Sequence, residues 1–247
     1  MTGSATASVR VRKAVTGVVC AGCLAAEFGV GRHAAALAAL TYVAVLAMGR
    51  SRLPWAMGLP GRPLIRITTR VVVFFVPLLF LGLPALGWSL PGVVCGVAVA
   101  AIGLWSERYE LRSSCRADLI ESMPYESRVD RSADLLFHLG SGVAQEYLYR
   151  GLGMAVLVPL IGVGAIPVTA ALFVGEHVAH PNGLSNWDRH DLLWQAFLGL
   201  TLGGIVYVTG SLPAAILAHT VYNAPNVVLT VLRPTSRPAM TTQEVRP

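Results

Sequence analysis

Long apolar stretches, separated by short clusters of arginine, glycine and proline, fill most of the chain. A helix that crosses a bilayer needs about 20 mostly apolar residues, and eight runs come near that length. They cover residues 14–31, 34–49, 71–88, 91–106, 134–154, 157–178, 192–209 and 212–232. The pattern therefore predicts an all-α protein, a polytopic transmembrane helix bundle of about eight helices.

The composition supports a membrane protein. Of the 247 residues, 54% are hydrophobic and 13% are charged, well below the roughly 25% of charged residues in an average soluble domain. The formal net charge is +6, but the arginines lie in the gaps between apolar runs and form no basic face interleaved with aromatic residues. We therefore expect the lipid bilayer as a partner and expect no nucleic acid.

The positions of the basic residues predict the orientation in the membrane. Both ends of the chain and every second connection carry them, and such segments are typical of the cytoplasmic side. We therefore predict a multi-pass protein with both termini cytoplasmic. Lysine occurs once, and alanine, glycine and valine are plentiful, which is typical of G+C-rich bacterial genomes and indicates a bacterial plasma membrane. The basic residues on which this prediction rests are Arg10, Arg12, Lys13, Arg50, Arg52, Arg62, Arg66, Arg70, Arg108, Arg112, Arg116, Arg128, Arg131, Arg189, Arg233 and Arg237.

The chain divides into three predicted regions. Residues 1–133 contain the N-terminal helices and end in a polar connection, 107–133, in which we expect a short amphipathic helix. Residues 134–232 contain the last four predicted helices, and the proline- and threonine-containing end, 233–247, is predicted to be a disordered tail. Two GxxxG pairs, Gly92 with Gly96 and Gly199 with Gly203, favour close packing of helices.

Three apolar segments of the C-terminal half contain polar groups where lipid penalises them by about 2.5 to 3.5 kcal/mol each. They are QEYLYR at 145–150, FVGEHVAH at 173–180 and HTVYN at 219–223. Because residues i and i+4 share one face of a helix, each segment presents one polar face. Three such faces can converge only inside the bundle, so a shared polar pocket is predicted there.

Each segment alone has a simpler interpretation. Glu146 and Arg150 can form a structural ion pair, since buried pairs often specify packing. His177 can lie at the membrane interface in contact with water, and His219 with Asn223 can join helices by hydrogen bonds. If no shared pocket existed, all three of these simpler interpretations would have to hold at once. A shared polar pocket is therefore the favoured interpretation.

These segments resemble, in order and spacing, the signature of the CPBP family of intramembrane proteases, which includes CAAX prenyl endopeptidases and bacterial Abi or bacteriocin-immunity proteins. The family shows EExxxR, then FxxxH, then HxxxN; here these stand as Gln145-Glu146-x-x-x-Arg150, Phe173-x-x-x-His177 and His219-x-x-x-Asn223. The resemblance covers about residues 134–232 and implies a CPBP-like catalytic core there.

The resemblance also implies the chemistry. A membrane-associated peptide or protein would be the substrate, and a water activated by a carboxylate and His177 would cleave it. His219 and Asn223 would stabilise the oxyanion, and Arg150 would fix Glu146. The family's first glutamate is Gln145 here, and an amide cannot take a proton from water. Three alternatives stay open: Glu146 is the base although it lies about 100° around the helix from position 145, Glu176 supplies the carboxylate, or the fold is kept without the reaction.

Three other functions compete with a metal-independent endopeptidase. No cofactor is expected, but a zinc hydrolase is an alternative, because Glu146, His177, His180 and His219 include enough ligands for a catalytic site; no HExxH is present. A pseudoprotease or immunity protein that binds without cleaving is favoured by Gln145. A transporter would need corresponding interrupted helices in both halves, and the polar residues occur in one half only.

Overall fold

The structure is a computed structural model that describes residues 71, 73–75, 87–179 and 189–235. The described residues form helices joined by turns, without strands, so the predicted all-α class is confirmed for this part of the chain. Within the described residues, a helical turn at Val73–Phe75 precedes nine helices: α1 Leu90–Ser106, α2 Arg108–Ser114, α3 Ala117–Ser122, α4 Arg128–Glu146, α5 Met154–Ile161, α6 Ala165–Ala179, α7 Arg189–Thr209, α8 Leu212–Tyr222 and α9 Ala224–Leu232. A π-helix, Tyr147–Gly153, joins α4 to α5.

Three stretches of the described residues are long and apolar enough to cross a membrane: Arg128–Val178, His190–Thr209 and Leu212–Leu232. A fourth is present if Leu90–Ser106 and Arg108–Ser114, which meet at a 65° bend, form one span. The protein is therefore a membrane protein by the length and composition of its helices. The predicted count of about eight is not confirmed, because the runs at 14–31 and 34–49 and most of 71–88 lie outside the described residues.

Two predicted helix boundaries in the core are wrong. α4 begins at Arg128 rather than at 134, because the Ser127 side chain caps the helix by accepting a hydrogen bond from the Asp130 N–H at 3.0 Å. The next connection was predicted between 154 and 157, yet the helix continues to Ile161. The chain turns at Gly162–Gly164, where Gly162 has a φ of 55°, a conformation that glycine adopts without steric cost.

The last apolar run, predicted as one helix, is broken at Asn223 into α8 and α9. Pro225 lies in the first turn of α9, and its ring nitrogen has no proton to continue the hydrogen bonds of the preceding helix. Asn223 therefore ends one helix and begins the next, which places a backbone break inside a candidate membrane span.

Small residues let the helices approach closely, as the two GxxxG pairs predict. α1 packs along α8, and a Cβ added to Gly96 would lie 2.9 Å from the Ala214 carbonyl oxygen and 3.1 Å from the Ala218 Cβ. α6 packs along α7, where a Cβ on Gly199 would lie 3.1 Å from the Ala170 Cβ. Both contacts bring backbones together around the polar residues of the core.

Replacing Gly96 by alanine is expected to destabilise the protein by about 1–3 kcal/mol, since the added methyl group overpacks the α1–α8 contact. Gly204→Ala is the matched control, because a Cβ there meets nothing within 4 Å; it should be neutral or stabilising, as alanine favours a helix over glycine. Unfolding in detergent by a denaturant measures both. Equal effects of the two substitutions would contradict close packing at Gly96.

The connections of the bundle lie at two ends. At one end, Gly103 of α1 lies against Trp194 of α7 and Tyr222 of α8, and the Glu126 N–H donates to the Pro234 carbonyl. At the other end, Gly87 lies against the backbone of Gly210. The arginine-rich segments 107–127 and 233–235 therefore share one end of the bundle, and their cytoplasmic location stays a prediction.

Candidate active site

The three polar segments meet around the ring of Phe173. The centroid of this ring lies 4.5 Å from that of His177 and 5.8 Å from that of His219. The Arg150 guanidinium carbon lies 4.6 Å from the same centroid, a favourable position for a cation over a π face. Phe173 itself is fully buried. The structure thus brings together residues from the end of α4, the π-helix, α6 and α8.

Glu146 and its two partners form a buried ion cluster. Its Oε1 accepts a hydrogen bond from Arg150 Nη1 at 3.1 Å and lies 2.8 Å from His219 Nδ1. Arg150 Nη2 also donates to the carbonyl oxygen of Gly199 on α7 at 3.2 Å. The Glu146 side chain is 0% exposed. The predicted Glu146–Arg150 pair is therefore present, and it joins three helices.

Glu176 lies in a second polar cluster with residues of the facing helix. Gln145 Nε2 is 3.2 Å from each of its carboxylate oxygens, and Tyr149 Oη donates to Oε2 at 2.7 Å. Glu176 is only partly buried, whereas Gln145 and Tyr149 are buried. The two adjacent residues of the first motif therefore serve different clusters: Glu146 binds Arg150 and His219, and Gln145 binds Glu176.

Tyr149 is the site residue that the sequence prediction missed. It lies four residues after Gln145, so both side chains point from one face of the helix toward Glu176. It also packs edge-on against Phe173, with ring centroids 5.6 Å apart. The i, i+4 spacing between Gln145 and Tyr149 is the sequence feature that could have identified Tyr149 as a site residue.

His177 lies beside this second cluster in sequence and in space. Its Nδ1 is 2.9 Å from the carbonyl oxygen of Phe173, and because a carbonyl only accepts, Nδ1 carries the proton and donates. In the neutral ring, Nε2 is then the acceptor nitrogen. A water molecule at Nε2 would point a proton toward the imidazole.

The remaining candidates lie farther along the helices. Asn223 is half-buried at the break after α8, and its backbone N–H donates to the His219 carbonyl at 2.9 Å. Among the described residues, no three His, Cys, Asp or Glu side chains are grouped to hold a metal ion. His180, a ligand that the zinc alternative uses, lies outside them.

The wide turn of the π-helix begins directly after Glu146. π-helical segments occur frequently at functional sites, and this one runs through Tyr149 and Arg150, the partners of the two carboxylates. Gly153 lets the π-helix approach α6, since a Cβ there would lie 3.2 Å from the Thr169 side chain. The irregular backbone is thus buried against protein, as the membrane interior requires.

Comparison with known proteins finds one family. Residues 133–225 match the family model described as Rce1-like, type II CAAX prenyl endopeptidase Rce1-like. The match includes all three motifs and confirms the predicted resemblance to the CPBP family, over less than half of the chain. Searches of curated proteins and of solved structures found no significant match.

Proposed function

We propose that this chain, which the Rce1-like match and three ordered motifs assign to the CPBP family, is an intramembrane endopeptidase that uses Glu176 as its general base. The observation that carries the proposal is the pairing of Glu176, the residue before His177 in the chain, with Gln145 and Tyr149. The family match supports a CAAX-type protease, and a membrane-associated peptide is therefore the substrate class.

Glu176 suits the role of base better than Glu146 does. A carboxylate can accept about four hydrogen bonds; Gln145 and Tyr149 supply three to Glu176, of which Oε1 receives one. Oε1 therefore keeps an acceptor site for water. Glu146 is fully buried and its Oε1 is held by two cationic or hydrogen-bonding partners. Water reaches the partly exposed carboxylate more readily.

This arrangement explains why residue 145 is a glutamine rather than a glutamate. With the carboxylate on α6, a glutamate at 145 would face Glu176 as a second negative charge, which disfavours ionisation of both groups. An amide at 145 donates instead and holds Glu176 in one orientation.

The reaction follows from these positions. A water molecule held by Glu176 Oε1 and by the His177 ring attacks the peptide carbonyl carbon, and one of its protons passes to the Glu176 carboxylate. The new C–O bond places negative charge on the carbonyl oxygen. When the C–N bond breaks, Glu176 returns the proton to the leaving amine.

His219 and Asn223 are proposed as donors to the oxyanion. Asn223 donates from its side-chain amide. His219 already donates from Nδ1 to Glu146, so Nε2 donates only when the ring carries a proton on both nitrogens. The buried Glu146 carboxylate, 2.8 Å from Nδ1, orients the His219 ring, while Arg150 orients the carboxylate.

The first test is cleavage of fluorogenic membrane peptides by the purified protein in detergent. His177→Ala is expected to lower kcat by about 100-fold or more, the range typical of a lost acid–base or water-orienting group. His190→Ala is the matched control, since His190 is exposed at the start of α7.

A metal chelator should leave the native cleavage rate unchanged. Loss of activity with recovery on adding Zn²⁺ would support the zinc alternative instead.

A binding or immunity protein that does not cleave is the second candidate, because Gln145 replaces the family's first glutamate. The peptide-cleavage assay distinguishes this binding protein from a protease. An inactive native chain together with an active Gln145→Glu variant would establish a protease fold that binds its target without hydrolysis.

A further inference from the structure

A hydrogen bond at the arginine-rich end of the bundle lies next to the proposed oxyanion residue. Tyr222 Oη, from the last residue of α8, donates to Glu107 Oε1 at 2.5 Å. Glu107 caps the end of α1 and begins α2 at the 65° bend. The two residues are 115 positions apart in the chain, so this bond fixes the end of α8 against the end of α1.

Trp194 of α7 holds the Tyr222 ring from a second direction. The ring centroids of Trp194 and Tyr222 are 6.2 Å apart with an interplanar angle of 37°. Gly103 of α1 makes room for both, because a Cβ there would overlap the Trp194 indole and lie 3.0 Å from Tyr222 Cε2. Three helices therefore meet on the Tyr222 ring.

The residue after Tyr222 is Asn223, at the break between α8 and α9. Its backbone N–H donates to His219, and its carbonyl accepts from the N–H groups of Asn226 at 3.1 Å and Val227 at 3.4 Å. No side-chain hydrogen bond caps α9 at this position. Because α9 starts after Asn223 without a side-chain cap, the fixed Tyr222 ring next to it in the chain helps to set the position of Asn223.

We propose that Tyr222 and Glu107 are positioning residues that hold the Asn223 amide where it can donate to the oxyanion. The inference rests on the proposed proteolysis for its catalytic consequence. Its structural part, the fixing of the break at Asn223, stands on the Tyr222–Glu107 bond alone. Neither residue touches the reacting atoms in this assignment.

Hydrogen–deuterium exchange of the full chain in detergent tests the structural part without any substrate. Tyr222→Phe keeps the ring and removes the hydroxyl, and we expect exchange at the amides of Asn223, Asn226 and Val227 to rise about tenfold, as a lost hydrogen bond to a charged group implies. Exchange at 142–150 should not change. Tyr207→Phe, at an exposed position of α7, is the matched control, and Glu107→Gln, which keeps an acceptor oxygen, should restrict the rise to about twofold.

Unchanged exchange in Tyr222→Phe, or a rise spread over the whole bundle, would overturn the positioning role.

The catalytic part is tested by kinetics in two backgrounds, the native chain and the Asn223→Ala variant. Tyr222→Phe should lower kcat about tenfold with KM changed less than twofold, and it should cause no further loss when Asn223 is already alanine. An equal loss in both backgrounds would overturn the link to Asn223. A native chain that cleaves no substrate would contradict the proposed proteolysis and the catalytic link, while the exchange result would still decide the positioning.

Discussion

Glu176→Gln is expected to lower kcat for peptide cleavage by about 10²- to 10⁴-fold, the contribution usual for a general base. The amide has the size of the carboxylate and still accepts from Tyr149, but it cannot take a proton from water. KM should change by less than about threefold, because Glu176 is assigned to the water rather than to the peptide. Steady-state kinetics with a fluorogenic membrane peptide measures both quantities.

Glu121→Gln is the control for this substitution, since Glu121 is exposed on the short helix α3 and should have no effect. Glu146→Gln shows whether Glu146 or Glu176 is the general base. If Glu176→Gln kept full activity while folded Glu146→Gln protein lost it, Glu146 would be the base and the second cluster a structural one.

Exchanging the side chains at positions 145 and 176 tests whether the carboxylate must lie on α6 or only within this pair. In Gln145→Glu with Glu176→Gln, the carboxylate returns to α4 and the amide on α6 donates to it, so the hydrogen bond of about 3.2 Å is kept in reverse. We expect this double variant to be at least tenfold more active than Glu176→Gln alone, since it regains a base opposite His177. Activity equal to that of the single variant would show that the position of the carboxylate, beyond its presence, is required.

Apolar length and helical spacing carried much of the prediction. The runs at 91–106 and 192–209 match α1 and α7 to within three residues, because the hydrocarbon thickness sets the length of a spanning helix. The Glu146–Arg150 pair followed from the i, i+4 geometry, which is local to one helix. The convergence of three polar faces followed from the cost of exposing them to lipid.

Contacts between helices were not predictable in the same way. Whether Gln145 meets Glu176, 31 residues away, depends on how α4 and α6 are rotated about their axes, and the sequence alone leaves open whether Glu146 or, as the secondary candidate, Glu176 is the base. The Tyr222–Glu107 bond depends in addition on the bend after α1, in a segment predicted as a polar connection with a short amphipathic helix. The π-helix was missed because its sequence has the same apolar character as an α-helix, although it rotates the following residues.

Arg150→Met is expected to destabilise the protein by about 3–5 kcal/mol, the usual result of removing one partner of a buried ion pair. The Glu146 carboxylate would remain fully buried with His219 as its hydrogen-bond partner, and the Gly199 carbonyl would lose the guanidinium. Unfolding by denaturant in detergent measures the effect and needs no substrate. Arg112→Met, at an exposed position of α2, should change stability by less than about 0.5 kcal/mol.

The double variant Glu146→Gln with Arg150→Met is expected to recover most of this loss, because the uncompensated charge is gone and the amide oxygen introduced at position 146 would still accept from His219 Nδ1. Replacement of a whole buried ion pair is often neutral or stabilising. In the described part of the protein, Glu146 Oε2 and Arg150 Nε are buried without hydrogen-bond partners, so the native pair is incompletely compensated. Equal destabilisation of the single and double variants would mean that Arg150 acts through its packing on Phe173, 4.6 Å from the ring centroid, rather than through its charge. Recovery would instead show that the uncompensated charge of Glu146, rather than lost packing on Phe173, causes the destabilisation of Arg150→Met.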